Sequence, residues 1–191
     1  HARAAEERFV SDGFGVKRFD LMFNDFVIVG PPGDPANITG STDVSGALKS
    51  IASQQTPFAS RGDNSGTHKA ENKLWKISGI DPSKGSGMWY LETGSGMGST
   101  LNIAVGKGAY VLSDRATWIK FGNKQNFKVH VQGDKRLFNQ YGVTLINPTN
   151  CPNVKSKAGQ KFISWLLSDK GQSAIESYTV GGNQLFFPNA Q

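Results

Sequence analysis

The 191-residue chain reads as an α/β protein with mostly parallel sheets, on three observations. Short apolar runs alternate with amphipathic stretches along its whole length, the pattern of strand–helix–strand units. The run Leu21 to Gly30 is apolar enough to be a buried strand. Charged residues are 19% and aromatics 10% of the chain, a balance that supports a packed core rather than global disorder.

The elements follow in order. Ala4 to Val10 has helical spacing and ends near Asp12-Gly13. The strand Leu21–Gly30 stops at Pro31-Pro32-Gly33-Asp34-Pro35, a stiff exit. Ser41 and Thr42 are expected to cap a helix from Asp43 to Ser53, with Val44, Leu48 and Ile51 on one face. Phe58-Ala59-Ser60 is a short strand, and a helix from Lys69 to Ile77 carries Ala70, Leu74 and Ile77 at helical spacing. Met88 to Glu92 is extended, Leu101 to Val105 helical, and Ala109 to Leu112 a strand. Ser113-Asp114 caps a helix from Arg115 to Phe121, leaving Arg115 solvated. Strands at Phe127–Val131 and Val143–Ile146 precede two helices, Lys157–Leu167 and Gly171–Tyr178.

Charge and composition narrow the partners. The net charge of +6 allows an anionic ligand and fits plain solubility equally well, and the lysines are spread without a dense run, so nucleic acid is not the expected partner. Cys151 is the one cysteine, so no internal disulfide forms. His1, His68 and His130 have no metal-ligand spacing, and neither a metal nor a cofactor is expected. No apolar run is long enough to span a membrane. The opening His1-Ala2-Arg3-Ala4-Ala5 reads as a helix already under way.

The stretch Phe58 to His68 carries the strongest chemical signal. Glycines, small hydroxyls and Arg61 stand immediately before a helix. A helix start presents free N–H groups to an anion, and an arginine adds a permanent charge with a planar fork suited to an oxyanion. The alternative is an ordinary cap, with Ser65 or Asp63 capping and Arg61 in solvent. Other matches are weak. Gly94-x-Gly96-x-Gly98 lacks the third glycine spacing of a dinucleotide loop, and Gly106-Lys107-Gly108 lacks the surroundings of a P-loop. Ser65 and His68 stand three apart, as a nucleophile and base on one helical turn would, but His68 is expected as an exposed first-turn residue. Glu71 and Glu92 form no evident acid–base pair.

Several segments in order resemble one family. They are Phe23 to Pro31, Ser60 to Thr67, Glu71 to Trp75, Trp89-Tyr90-x-Glu92-x-Gly94-x-Gly96-Met97-Gly98, Ala109 to Thr117, and Tyr141-Gly142-Val143 to Asn147-Pro148. Together they resemble the tungstate-binding, TupA-like solute-binding proteins of ABC transporters. The resemblance implies a type II periplasmic-binding-protein-like fold of two lobes that close on a ligand by hinge motion. It implies residues 1–31 as a remnant of lobe 1 and hinge strand, 32–140 as lobe 2, and 141–191 as a return strand with the C-terminal helices of lobe 1. The first lobe is expected to be incomplete, as in a member lacking its first several dozen residues, and a dimer of such chains is one consequence.

Carried over by position, Ser60, Arg61, Ser65 and Thr67 are the expected ligand contacts, with Gly62 and Gly98 as further members of the site. Asp63 holds Arg61 or caps the helix instead of touching an anion. The implied ligand is tungstate or molybdate, the implied partner the membrane component of an ABC transporter, and the implied location periplasmic or extracytoplasmic. Two alternatives stand beside this: a small-anion effector domain of the same fold, and a hydrolase using Ser65 and His68.

Overall fold

A computed structural model describes residues 2–190. The chain divides into two compact units, one from Asp25 to Phe138 and one formed by the residues up to Asn24 with those from Asn139 onward. The sequence reading put the boundaries at 31/32 and 140/141. The divide at Asn24/Asp25 falls inside a single strand, β1 (Gly15–Gly30), because its last residues pair within the Asp25–Phe138 unit.

In that unit β1 runs antiparallel to β4 (Tyr110–Asp114), from Phe26 opposite Asp114 to Val29 opposite Val111. On its other side β1 meets β5 (Lys128–Val131), also antiparallel, with an irregularity between Ile28 and Val29. β2 (Phe58–Ser60) lies between β3 (Tyr90–Glu92) and β4, parallel to both. The order is β3-β2-β4-β1-β5, so the sheet is mixed, with its parallel part at β3-β2-β4.

Both faces of this sheet are covered. Phe26, Ile28, Phe58, Tyr110 and Leu112 point into one interior with α2 (Val44–Ser53) and α3 (Gly66–Ile77). Val27, Val29, Ala59 and Val111 point into the other with Leu101 and Ala104 of α4 (Met97–Lys107) and Trp118 of α5 (Arg115–Lys120). Period-two alternation sends neighbours to opposite faces, and two apolar faces make the strand read as a continuous apolar run. On the first face Trp75 meets Phe58 edge-on at 5.2 Å between ring centroids, and Trp89 at 5.8 Å.

Helix starts differ from the expected ones where a side chain caps. Asp43, not Ser41 or Thr42, caps α2 by accepting from the Ser45 N–H. Ser65 caps α3, which therefore begins at Gly66 and not Lys69. α4 begins at Met97, four residues before the expected start, and ends at Gly108 in the left-handed conformation.

The proline-rich exit of β1 is pinned from within the same unit. Asp34 accepts from the Thr39 backbone N–H at 2.8 Å, from the Thr39 hydroxyl at 2.6 Å and from the Tyr110 hydroxyl at 2.7 Å. The same Tyr110 oxygen accepts the buried N–H of Ala36 at 3.0 Å.

The second unit holds α1 (Arg3–Ser11), the first part of β1, all but the first residue of β6 (Phe138–Ile146), α6 (Ser156–Leu167), α7 (Asp169–Ser177) and the short strands β7 (Thr179–Val180), β8 (Asn183–Gln184) and β9 (Phe187–Pro188). β6 and β9 both pair with β1, β9 antiparallel with Phe23 opposite Phe187. β1 starts six residues before the expected strand, because the polar stretch Gly15–Asp20 is half exposed and hides its strand character. Arg18 is held by Glu6 at 2.7 Å and by Asp20. Among the described residues, Leu21, Ile163 and Leu185 are this unit's buried hydrophobics, while Phe162 and Trp165 stack on each other at its surface.

Tyr110→Phe is expected to cost about 1–3 kcal/mol, since it orphans the Ala36 N–H and removes a donor to Asp34. Urea denaturation should show a lower midpoint at unchanged slope.

Candidate functional site

Because β2, β3 and β4 are parallel, their carboxyl ends emerge at one edge of the sheet, the edge where open α/β sheets bind ligands. Three segments leave from it. Arg61 to Ser65 leads from β2 into α3, Thr93 to Gly96 from β3 into α4, and Asp114 from β4 directly into α5.

The first two are stitched together. The Thr93 N–H donates to the Ser60 carbonyl at 2.9 Å and the Ser95 N–H to the Arg61 carbonyl at 3.2 Å. Thr93 Oγ1 and Thr100 Oγ1 are 2.8 Å apart, joining the second loop to the first turn of α4. Gly62 has φ +58°, and a Cβ there would lie 3.0 Å from Glu92 Cβ, so conformation and space both require glycine. Gly98 stands exposed in the first turn of α4 with open space around its Cα. The α4 cap is Gly96, which supplies no side-chain acceptor, so the first N–H groups of that helix stay available.

Asp63 is the hub of the first loop. It accepts from Arg61 Nη2 at 2.6 Å and Nε at 3.1 Å, from the Ser65 N–H at 3.1 Å and from the Ser65 hydroxyl at 2.6 Å. Burial works against its charge, but the hydrogen bonds from Ser65 and the Arg61 guanidinium outweigh it and hold the carboxyl below its ordinary range. Arg61 is thus fixed and half-buried rather than solvated. Thr67 is buried in the first turn of α3.

Two expected contacts have their hydroxyls engaged inside the protein. Ser65 Oγ accepts the His68 N–H at 3.2 Å while donating to Asp63, which makes it the helix cap. Ser60 is fully buried; its Oγ lies 3.0 Å from Glu71 Oε2 and 3.0 Å from the Tyr90 hydroxyl, accepts the Gly62 N–H at 3.2 Å, and stands 3.2 Å from His68 Nδ1. The His68 ring therefore meets Ser60 and not Ser65, so the nucleophile–base pair of the hydrolase alternative is not formed.

Glu71 and Tyr90 belong to this cluster, and the sequence reading missed both. Glu71 is 2% exposed and receives Tyr90 Oη at 2.6 Å and Trp75 Nε1 at 3.2 Å. Burial pushes its carboxyl up to about 7, against the hydrogen bonds of Tyr90, Ser60 and Trp75 and with the charge of Glu92 adding to the rise. The available signal was position: Glu71 shares a helix face with Leu74 and Trp75, at i+3 and i+4. Arg115 is likewise not solvated. It clamps Asp25 with Nε at 2.7 Å and Nη2 at 2.6 Å, beside the Asp114 cap.

Between its ordinary value of 4.5 and about 7, Glu71 stays protonated in the folded state while the unfolded chain has released the proton. Stability therefore falls as pH rises across that window, by about 3 kcal/mol in all. Denaturation curves across this pH range should show wild type losing that amount relative to Glu71→Gln.

Comparison with known proteins gives the family. Residues 1–170 match the model of the PBP superfamily domain. A putative ABC transporter anion-binding protein of Haloferax volcanii is 45% identical over the whole chain, and the chain spans 56% of its length. The tungstate-binding protein TupA of Peptoclostridium acidaminophilum is 43% identical, with 67% of its length covered. The solved tungstate-binding protein TupA of Desulfovibrio alaskensis G20 matches with a TM-score of 0.84 and 47% identity, over 100% of this chain and 77% of that one. The chain spans little more than half to about three quarters of these relatives, and it belongs to the PBP superfamily and, within it, to the family of the TupA proteins.

Proposed function

We propose that this chain binds a tetrahedral oxyanion, tungstate or molybdate, for delivery to the membrane component of an ABC transporter outside the cytoplasm. The observation that carries the reading is Arg61, held by Asp63 at the carboxyl edge of the parallel strands, next to the first turn of α3. A guanidinium fixed in advance loses little freedom when it meets an oxyanion, and charge-assisted hydrogen bonds are the strong ones. The helix dipole and the free N–H groups of Gly66 and Thr67 add to the attraction. The names borne by the relatives supply the anion class.

In this reading Arg61 and Thr67 touch the anion, together with backbone N–H groups. Ser60 and Ser65 shape the loop: Ser65 caps α3 and Ser60 anchors the Gly62 N–H. Gly62 allows the turn, and the open first turn of α4 at Gly98 is a second source of N–H groups. A second arginine at the same sheet edge, Arg115, is paired with Asp25 as Arg61 is with Asp63, and Arg61 is the one that stands in the loop before the first turn of α3.

In the full-length gene product, calorimetric titration should show tungstate and molybdate bound more tightly than sulfate or phosphate. Arg61→Ala should lower tungstate affinity at least about a hundredfold, the worth of a lost charged hydrogen-bond pair. Undiminished affinity in that variant overturns the assignment.

A further inference from the structure

We propose that Glu71 is a positioning residue of this anion site, and that the anion binds with uptake of a proton by Glu71, whose cluster with Ser60 and His68 accommodates it, so that affinity falls as pH rises. The inference rests on the oxyanion reading above. It starts from a buried acid with no cation against it among the described residues. The groups that touch Glu71 are neutral donors: Ser60 of β2, Tyr90 of β3 and Trp75 of its own helix.

The other charged and titratable groups around it offer no compensation. Glu92 of β3 repels. The guanidinium of Arg61, which follows β2, is turned to Asp63. Tyr110 of β4 gives its hydroxyl to Asp34, and Lys49, the charged side chain of α2, is exposed. His68 lies one turn before Glu71 and reaches it through Ser60.

The hydrogen bonds balance in two states. With Glu71 ionised, Ser60 donates to Oε2 and accepts from the Gly62 N–H and from His68 Nδ1–H. With Glu71 protonated, its own O–H donates to Ser60 Oγ, the Ser60 hydroxyl turns to donate to His68 Nδ1, and the Gly62 N–H still donates to Ser60. Tyr90 and Trp75 donate to Oε1 in both. The His68 ring changes tautomer, and the Asn72 amide, 3.0 Å from Nε2, turns to match. One proton enters and no buried polar group is orphaned, so the cluster tolerates either state.

A dianion at the Arg61 loop breaks this balance. Ser60 is the residue before Arg61, and its oxygen holds the Gly62 N–H of the same loop. An ionised Glu71 behind that loop repels the anion through a dry interior, whereas a protonated one does not. Binding therefore favours the protonated state, and by linkage protonation favours binding. A rise of one pKa unit on binding makes affinity fall about sevenfold between about pH 6 and about pH 8.5; tungstate itself remains dianionic over that range.

The test is calorimetric titration of the full-length protein with tungstate at both pH values, in two buffers of different ionisation enthalpy. Wild type should lose about sevenfold in affinity and take up a fraction of a proton near neutral pH. In Glu71→Gln the affinity ratio should fall below about twofold and the uptake should vanish, while His68→Gln should retain the uptake. Uptake that persists in Glu71→Gln, or that disappears only in His68→Gln, overturns the assignment. Should Glu71→Gln not fold, the carboxyl signal of isotope-labelled wild type replaces it: titration of Glu71 unmoved by tungstate overturns the proposal. A flat wild-type profile with tight binding defeats the coupling and leaves the oxyanion reading standing, whereas no tungstate binding at any pH defeats both.

Discussion

In the Asp25–Phe138 unit the sheet is buried on both faces, and the candidate site depends on that constraint. All three residues of β2 are buried, Phe58 toward α2 and α3, Ala59 toward α4. A slip of one residue would exchange these faces and place a phenylalanine where only an alanine fits against Leu101 and Ala104. The register of Ser60 opposite Glu92 is therefore fixed, and with it the point at which the chain leaves the sheet. Arg61 owes its position to the packing of residues that never approach a ligand.

Upon that rigid base the polar groups satisfy one another. Asp63 accepts four hydrogen bonds from a span of five residues, which makes the loop a preformed structure. Beneath it, Ser60, Glu71, Tyr90 and His68 form a second layer joined to the loop through the N–H groups of Gly62 and His68. A buried acid without a cation is costly, and its hydrogen bonds from three side chains offset only part of that cost. Such a group is a natural place for protonation and binding to meet.

The other unit has a different character. Its interior holds few fully buried apolar side chains, and much of its order comes from polar contacts: Arg18 with Glu6 and Asp20, Asn139 with Asn24, and Gln140 with Asn189. Its aromatic side chains, Phe162 and Trp165 among them, lie largely on the surface. Packing of this kind leaves the unit's stability more dependent on hydrogen bonds than on apolar burial.

The amino-acid sequence by itself determined the order and type of the main elements, because apolar periodicity and turn residues are local properties. It marked Arg61 before a helix start for the same reason, and Asp63 as the residue that would hold it. Element starts were less legible: capping by Asp43 and Ser65 depends on which oxygen reaches which N–H, and Gly15–Asp20 hides as a strand because one of its sides is wet. What only the tertiary structure decided are the pairings between distant residues. Asp25 with Arg115, Tyr110 with Asp34, and Glu71 with Tyr90 and Ser60 join positions from eleven to ninety apart. No local pattern encodes such contacts, since they exist only once the sheet has set its register. Burial then does the rest: it makes Ser60, an expected ligand contact, an inner anchor of the loop, and pushes the Glu71 carboxyl up to about 7.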